Sequence, residues 1–317
     1  MQKKQIIVTF KTVNRDFENL HLSSGFSFWF RIYLCHTINQ LIFIKMKNFI
    51  TGVFTLMTMS FSFAQSNIDV TAQIGNLNTA TVDQTGLFNI NSLTQDGNRN
   101  TADIDQVGAL NINTAQSIGN RNSIDADQTG LGNTNDVSQM GNRNSAVTWQ
   151  LGAFNSTEQT QIGRRNETSS IQLGLGNAVL QYQDGRRNDA SAIQLGIGND
   201  AYQVQLGRRN AASGLQVGSD NLLVQYQDGD DNSATHDQVG NNNIAASVQI
   251  GDDNTAMGVQ VGNSNQLYQI QLGDSNTAID VQMGNNNFSW VAQSGDSHIH
   301  VGTQMGNGNS MVINQSN

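Results

Sequence analysis

The chain has 317 residues, of which 13% are charged, and it contains no proline and one cysteine. Residues 65–317 hold nine arginines, 23 acidic residues and neither lysine nor cysteine. Their net charge of −14 speaks against binding nucleic-acid phosphates, and the lack of cysteine excludes a disulfide framework or a thiolate metal site. This polar composition cannot build a conventional apolar core, so a regular structure must replace it.

Residues 1–64 are predicted to be processing sequence. Residues 46–64 begin with a short basic region at Met46-Lys47-Asn48, continue through a mostly apolar run and end in small residues, which is typical of a secretory signal peptide. We interpret residues 1–45 as an upstream extension that is not native, with Met46 as the true start. A membrane anchor over residues 25–44 is the alternative. The mature chain then begins near residue 65, with residues 65–72 as a short N-terminal segment.

A repeat fills the rest of the chain, residues 73–317. The pattern Gln-x-Gly-x-x-Asn starts at Gln73 and recurs every 11 residues through Gln304, in 22 units without insertion or deletion. Ser117 replaces one Gln, and His298 replaces one Asn. Two kinds of Gly-x-x-Asn turn alternate, so the true period is 22 residues. A fixed period of this length is the signature of a repeat architecture.

The segments between turns are predicted to be strands. In the unit Asn78-Thr-Ala80-Thr-Val82-Asp-Gln84 the four numbered residues lie two positions apart. An extended strand places them on one face, which helical spacing cannot do. We therefore predict an all-β fold, a parallel two-sheet β-solenoid of about 11 strand-turn-strand rungs with cross-β stacking. Seven-residue strands would alternate with four-residue turns.

The inward Asn and Gln side chains are predicted to form amide ladders between rungs, because an identical amide above and below satisfies both donor and acceptor. The predicted ladder residues are Gln73, Asn78, Gln84, Asn89, Gln95, Asn100, Gln139, Asn144, Gln150, Asn155, Gln194, Asn199, Gln260, Asn265, Gln304 and Asn309. Glycine permits a sharp reversal of the backbone. The predicted turn glycines are Gly75, Gly86, Gly97, Gly141, Gly196, Gly262 and Gly306.

One series of turns is charged, and its arginines precede its aspartates along the chain. We hypothesise that these blocks restrain growth and orient neighbouring filaments by matching Arg blocks to Asp blocks; a merely soluble edge is the alternative. The predicted edge charges are Arg164, Arg165, Arg186, Arg187, Arg208, Arg209, Asp230, Asp231, Asp252 and Asp253.

The outward strand positions also change along the chain. Early strands present aspartates and later ones aromatic residues, which suggests that acidic faces slow premature assembly while the aromatic face packs fibres side by side. Ordinary variation on a solvated sheet is the alternative. The apolar residue that follows each Gln, such as Ile74 or Leu151, could point either way. His298 and His300 lie two apart on one strand, but without a third ligand we interpret them as ladder substitutes rather than a metal site.

The Asn-x-Ala-x-x-x-Gln and Gln-x-Gly-x-x-Asn halves, in a 22-residue period behind a secretion signal, resemble the curlin repeat of curli fibre subunits. The resemblance covers residues 73–315. It implies a secreted functional amyloid on the surface of a Gram-negative bacterium, exported through an outer-membrane pore and assembled with other curlin-type subunits into adhesive biofilm fibres. This chain departs by its larger number of repeats, by Asn where Ser is common at strand starts, and by a very short segment before Gln73.

The predicted function is therefore a structural subunit that polymerises with itself head to tail, either the major subunit or a nucleator. No cofactor, nucleic-acid partner or enzymatic activity is expected, because no catalytic constellation or phosphate-cradling loop is present. The alternative is a monomeric ligand- or ice-binding β-solenoid, which would need a sustained outward array of threonines. Thr79 and Thr81 begin such an array, but Asp103 and Asp125 interrupt it.

Overall fold

The computed structural model describes residues 66–317, within a compact unit that runs from Gln65 to Asn317. The predicted signal peptide and upstream extension lie outside the described residues. Twenty-three strands and no helix make up the described part. Within residues 66–317 there is accordingly no helix of the length and hydropathy needed to cross a membrane.

The strands alternate between two parallel sheets, so each 22-residue repeat contributes one strand to each sheet. The 12-stranded sheet, sheet A, contains β1 (Ile68–Asn76), β3 (Ile90–Asn98), β5 (Ile112–Asn120), β7 (Thr134–Asn142), β9 (Ser156–Arg164), β11 (Ala178–Arg186), β13 (Asp200–Arg208), β15 (Leu222–Asp230), β17 (Ile244–Ile250), β19 (Gln266–Leu272), β21 (Phe288–Ser294) and β23 (Ser310–Ser316). The 11-stranded sheet, sheet B, contains β2 (Thr79–Leu87), β4 (Thr101–Ala109), β6 (Ser123–Leu131), β8 (Ser145–Ala153), β10 (Glu167–Leu175), β12 (Asp189–Ile197), β14 (Ala211–Ser219), β16 (Ser233–Asn241), β18 (Thr255–Val261), β20 (Thr277–Met283) and β22 (Ile299–Met305).

The register between neighbouring strands is constant along the whole rod. Each residue pairs with the residue 22 positions later, as Gln73 does with Gln95 in sheet A and Gln172 with Gln194 in sheet B. This register stacks every position of the repeat into a straight column. The predicted all-β, two-sheet parallel solenoid of about 11 rungs is confirmed.

Strand length differs from the prediction in most rungs. Strands β1–β16 have nine residues rather than seven, because pairing continues through the glycine and the residue after it. From β17 onward the strands have seven residues. On the edge between β15 and β16, the backbone N–H of Asp230 donates to the side-chain Oδ1 atom of Asp252 at 2.8 Å. A side chain here replaces a backbone acceptor, which fits the earlier end of strand pairing.

Burial alternates along each strand as the repeat pattern predicts. In β12 the inward residues Ala190, Ala192 and Gln194 are fully buried, and the residues between them are partly or fully exposed. The open question about the residue after each Gln is answered, since Ile74 is 61% exposed and Leu151 is 41% exposed. These apolar side chains point outwards, as simple alternation requires.

Candidate assembly interface

Two columns of glutamine side chains, one in each sheet, run along the inside of the rod. In each column, Nε2 of one glutamine donates to Oε1 of the glutamine 22 residues later. In sheet B this bond runs from Gln106 to Gln128 at 2.7 Å and from Gln194 to Gln216 at 2.8 Å, and in sheet A from Gln183 to Gln205 at 2.8 Å. Nε2 of Gln194 also donates to the carbonyl of Ala178 at 2.9 Å. A hydrogen bond adds about 0.5–1.5 kcal/mol of stability, whereas an unpaired buried amide costs about 1–3 kcal/mol. The column therefore stabilises the rod only where it is unbroken.

The asparagine columns bond in the opposite direction. Nδ2 of Asn199 donates to Oδ1 of Asn177, in the preceding rung, at 3.1 Å, and to the carbonyl of Gly218 at 3.0 Å. The backbone N–H of Asn199 also donates to Oδ1 of Asn177, at 3.1 Å. In the bonds between amide side chains, glutamine donors thus point toward the C-terminal end of the rod and asparagine donors toward the N-terminal end. The rod has a chemical direction.

The structure places the predicted ladder residues on the inward face. Those with neighbours on both sides are 0–1% exposed, namely Asn89, Gln95, Asn100, Gln139, Asn144, Gln150, Asn155, Gln194, Asn199, Gln260 and Asn265. Gln304, in the last rung of sheet B, is 6% exposed. The residues at the ends of the described rod keep more exposure because one neighbouring rung covers them, and these are Gln73, Asn78, Gln84 and Asn309.

The two exceptions to the repeat preserve only part of the ladder. Ser117 donates through Oγ to Oε1 of Gln139 at 3.0 Å, but its short side chain does not reach Gln95. Among the described residues, Nε2 of Gln95 keeps only the acceptor carbonyl of Thr79, at 3.2 Å. His298 retains the backbone bond of an asparagine, donating its N–H to Oδ1 of Asn276 at 3.0 Å.

The turn glycines adopt a backbone conformation and a close packing that other residues cannot. Gly196 has φ of 141°, and a Cβ atom placed there would lie 1.8 Å from the carbonyl oxygen of Gly218 in the next rung. Every predicted turn glycine has φ between 105° and 141°: Gly75, Gly86, Gly97, Gly141, Gly196, Gly262 and Gly306. A side chain would both strain the turn and block the next rung.

Sequence reasoning missed a second position of positive φ, two residues after each glycine. Leu77, Phe88 and Arg99 all have φ of 57–58° in this left-handed region, where a non-glycine residue costs roughly 1–2 kcal/mol. Gly132 and Gly176 take the same place in other turns, with φ of 63° and 65°. Those extra glycines were the signal in the sequence that could have found it.

Sequence reasoning also missed a third glutamine column, in the centre of sheet A. Nε2 of Gln159 donates to Gln181 at 2.9 Å, Gln181 to Gln203 at 2.8 Å, and Gln203 to Gln225 at 2.7 Å. The sequence signal for this column was the pattern Gln-x-Gln, which occurs in four consecutive strands of one sheet.

His236 connects this central column across a gap. Ser247 interrupts the column in the next rung, and its buried Oγ atom has no partner within residues 66–317. Nδ1 of His236 lies 3.1 Å from Nε2 of Gln225, and Nε2 of His236 lies 3.1 Å from Oε1 of Gln269. An amide donor at one nitrogen and an amide acceptor at the other require the neutral ring with its hydrogen on Nε2. Complete burial lowers the pKa of His236 to about 4, which agrees with that state.

The chain of bonds continues from Gln269 into the last rungs. Nε2 of Gln269 donates to Oδ2 of the fully buried Asp280 at 2.8 Å, and Oγ of Ser289 donates to its Oδ1 at 3.1 Å. Nε2 of His300 lies 3.2 Å from the same Oδ1. His298 points elsewhere, with Nε2 at 3.1 Å from the carbonyl of Ser294. The described residues contain no group of three side chains suited to hold a metal ion.

The predicted edge charges lie in columns on one edge of the rod, in the turns that lead from sheet A to sheet B. At the border of the two blocks Arg208 pairs with Asp230, with Nε and Oδ2 2.9 Å apart, and Arg209 pairs with Asp231. These hydrogen bonds hold the pKa of both carboxyl groups below their ordinary range. Within the arginine block, the charge of Arg164 lowers the pKa of Arg165. The two blocks are therefore electrostatically distinct, and the structure brings them together at one point.

The two outer faces differ as the sequence indicates. On sheet B, partial burial and the charge of Asp103 raise the pKa of Asp105 and Asp125, so carboxylates crowd this face. On sheet A, the ring of Tyr268 lies 6.0 Å from that of Phe288 and 5.7 Å from that of Trp290, between ring centroids. One face is acidic, and the other carries aromatic rings that contact one another at tilted angles.

Comparison with known proteins identifies the repeat. Residues 229–257 match the family model described as the curlin associated repeat, a span that contains β16 and β17 with their turns. A search of curated proteins finds no match to the chain. Curlin-repeat proteins are structural amyloid subunits of extracellular curli rather than enzymes. Residues 229–257 thus carry a curlin repeat, and the geometry of that span recurs every 22 residues from β1 to β23.

Proposed function

We propose that this chain is a secreted structural subunit that assembles end to end, with copies of itself, into curli-like amyloid fibres for adhesion and for the biofilm matrix. The observation that carries the proposal is the state of the two end strands. Within residues 66–317, β1 pairs only with β3 and β23 only with β21. No described residue covers the other backbone edge of either strand, and an uncovered edge of this kind is a template for another strand.

The direction of the ladders makes the two ends complementary. At the N-terminal end, Gln73 and Gln84 use Nε2 to bond the next rung, and no described residue donates to their Oε1 atoms. At the C-terminal end, Nε2 of Gln304 and of Gln315 donates to one backbone carbonyl, which leaves its second hydrogen for a further acceptor. In the glutamine columns, donors at the C-terminal end and acceptors at the N-terminal end favour head-to-tail addition over joining two like ends.

The alternative of an ice-binding solenoid gains no support from the outer face. Thr81, Asp103 and Asp125 lie in one column of sheet B, so carboxylates replace the threonine array within one rung. A monomeric binding role would also leave both end strands without a function.

Other parts of the proposal rest on the family. Export through an outer-membrane pore, assembly with other curlin-type subunits and a place on the surface of a Gram-negative bacterium are roles that curli subunits suggest. We further propose that the aromatic face of sheet A drives fibre bundling. Replacing Tyr182, Tyr202, Tyr226 and Tyr268 by Ser should leave single fibres intact but reduce their bundling in electron micrographs.

The direct test follows thioflavin fluorescence and fibre diffraction of purified residues 65–317. We expect a lag that preformed fragments abolish, and a meridional reflection near ~4.7 Å, the spacing of hydrogen-bonded strands. A chain that stays monomeric at high concentration, even with seeds, would overturn the proposal.

A pair of variants in β23 separates end-to-end growth from general aggregation. Lysine at the inward positions Ile313 and Gln315 would bury two charges under the next subunit and should stop elongation. Lysine at the outward positions Val312 and Asn314 adds the same charge to the same strand and should elongate nearly as the wild type does. Equal elongation by both variants would contradict growth at this strand.

A further inference from the structure

All nine arginines of residues 66–317 lie on a single edge of the rod. We call this the charged edge and define it by the turn residues 76–77, 98–99, 120–121, 142–143, 164–165, 186–187, 208–209, 230–231, 252–253, 274–275 and 296–297. In the equivalent turns of the opposite edge, the described residues include one charged side chain, that of Asp220. Charge is therefore concentrated on one side of the solenoid.

The order of charges along this edge is nearly antisymmetric. Three rungs carry one arginine each and the next three carry two, ending at Arg208-Arg209. The following two rungs carry two aspartates each, starting at Asp230-Asp231, and the last two carry one each. Turning the rod end over end about the Arg209–Asp230 border thus places positive rungs where negative rungs were, with closely matched magnitudes.

We propose that the charged edge is a docking surface for a second copy of this chain, which lies antiparallel and edge to edge across a two-fold axis at the border between the two blocks. In this arrangement Arg186 and Arg187 face Asp252 and Asp253 of the second copy. The proposal goes beyond end-to-end growth, because it concerns the side of the rod rather than its ends.

Of the side chains needed for this contact, those of Arg186 and Arg187 have no acidic partner among the described residues, whereas Arg208 and Arg209 already pair with Asp230 and Asp231 within the chain. Among residues 66–317, Arg208 and Arg209 are the only arginines with an acidic group within 4.0 Å. The aspartates are held in place, since Oδ1 of Asp252 and Oδ1 of Asp274 each accept a backbone N–H at 2.8 Å. The second carboxylate oxygen of each remains available to a guanidinium group from outside.

The charge pattern favours one orientation and one register. Parallel alignment in register would set every charged rung against a rung of the same sign. A parallel copy shifted by four rungs would face four rungs of opposite sign and two of like sign, whereas the antiparallel match sets eight rungs against opposite sign. A shift of one rung from the antiparallel match would place either the Arg208-Arg209 rung or the Asp230-Asp231 rung against its own copy. Because both edges repeat at the same ~4.7–4.9 Å spacing, the matched register pairs several rungs at once. Individually weak exposed ion pairs then act together.

Two charge-reversed variants of the full chain test the proposal. The first variant, which we call the arginine edge, carries Asp230→Arg, Asp231→Arg, Asp252→Arg and Asp253→Arg. A second variant, the aspartate edge, carries Arg186→Asp, Arg187→Asp, Arg208→Asp and Arg209→Asp. Both residue types already occupy these turn positions with the same backbone, as φ of 60° at Arg187 and 59° at Asp231 shows. The variants should therefore fold, which strand content by circular dichroism checks.

Side-by-side association is measured by sedimentation velocity of unpolymerised chain and by counting paired filaments in electron micrographs. Raising NaCl from about 20 mM to about 500 mM shortens the Debye length from about 20 Å to about 4 Å and should dissociate wild-type pairs. Each variant alone should associate at least tenfold more weakly than the wild type at low salt. An equal mixture of the two should restore association, because every facing pair of variant rungs is again opposite in sign.

A matched control changes the same amount of charge elsewhere. Arginine at Asp103, Asp105, Asp125 and Asp127, on the outer face of sheet B, should leave pairing within twofold of the wild type. Pairing by either variant alone as in the wild type, or failure of the mixture to pair, would overturn the proposal. Loss of association in the aspartate-edge variant alone would also overturn the proposal, because it would indicate that the arginines bind some other anion rather than a second copy of the chain. Elongation, followed by thioflavin fluorescence, should be the same in all variants. A failure to elongate would therefore contradict the proposed fibre growth and not the proposed pairing of charged edges.

Discussion

The rod contains two kinds of rung that share one backbone but differ at the centre. In residues 89–146 the central residues are aliphatic, and Leu93, Ile104 and Val137 belong to one buried apolar cluster. In residues 155–227 the centre of sheet A is a glutamine column, which faces small residues of sheet B such as Ala192 and Gly214. We call these the apolar-centred and the amide-centred rungs.

The comparison of these rungs shows which inward positions must keep the same residue in every rung. Aliphatic side chains need only fill space, so Leu93, Ala115 and Val137 succeed one another in a single column of the apolar-centred rungs. An amide needs a matching group above and below, so glutamine occurs four times in succession in the amide-centred rungs. The need of each buried amide for a hydrogen-bond partner, rather than burial itself, thus keeps the residue type the same from rung to rung.

The largest effects are expected where the two kinds of rung do not differ, at the turn glycines. In the apolar-centred rungs, a Cβ atom on Gly108 would lie 2.0 Å from the carbonyl oxygen of Gly130. In the amide-centred rungs, a Cβ atom on Gly185 would lie 1.9 Å from the carbonyl oxygen of Gly207. Gly108→Ala and Gly185→Ala should each lower the free energy of unfolding by about 4 kcal/mol, from clash and backbone strain together. Denaturant midpoints by circular dichroism measure this.

Gly176→Ala is the matched control, because φ there is 65° and a Cβ atom would meet nothing within 4 Å. Only the left-handed strain of about 1 kcal/mol should remain. Equal losses at Gly176 and Gly185 would show that stacking of the turns does not limit the rod.

The next effect concerns pH and His236, which continues the central glutamine column beyond the amide-centred rungs. The pKa of His236 falls from 6.5 to about 4 on folding, so between these values the unfolded state binds more protons than the folded state. Stability is therefore complete above pH 6.5 and is lost as the pH falls, by about 3 kcal/mol at pH 4. His236→Gln keeps an acceptor for Gln225 and a donor for Gln269 but does not titrate.

The measurement is the difference between wild type and His236→Gln in denaturant midpoint from pH 7 to pH 4. The acidic face of sheet B responds in the opposite sense, since the raised pKa of Asp105 and Asp125 favours folding as those groups protonate. Both proteins carry these aspartates, so their contribution cancels in the difference. A difference that stays constant with pH would contradict a neutral, buried His236.

A smaller effect concerns the gap that His236 bridges. Ser247→Gln would extend the central column from Gln225 to Gln269, but the ring of His236 already bonds both. Either Ser247→Gln or His236→Ala alone should therefore destabilise the chain, by crowding or by orphaned amides. The double variant should recover stability through a continuous column, with a coupling energy of about 2 kcal/mol in the double-mutant cycle. Additive effects would show that the ring and the column are independent.

The sequence predicted those features that repeat and missed those that cross between sheets. Every ladder residue named from the 11-residue pattern, such as Gln194 or Asn199, lies on the inward face, because a strict period leaves one register. The contact of His236 with Gln225 and Gln269 joins different sheets and different rungs, and no periodicity encodes it. Leu223 packs against Gly214 for the same reason, as a large residue opposite a small one. Such complementarity appears only when the two sheets are placed face to face.

The smallest effect comes from repairing the glutamine column of sheet A where Ser117 interrupts it, in the apolar-centred rungs. Ser117 leaves Nε2 of Gln95 without the forward partner that Gln106 and Gln194 have, among the described residues. Ser117→Gln should complete the column from Gln95 to Gln139 and raise the free energy of unfolding by about 1 kcal/mol, the net value of a hydrogen bond. Ser117→Leu is the control of similar size without an amide. If leucine stabilised as much as glutamine, added apolar burial would explain the gain, and the ladder would contribute nothing at a rung whose centre is already apolar.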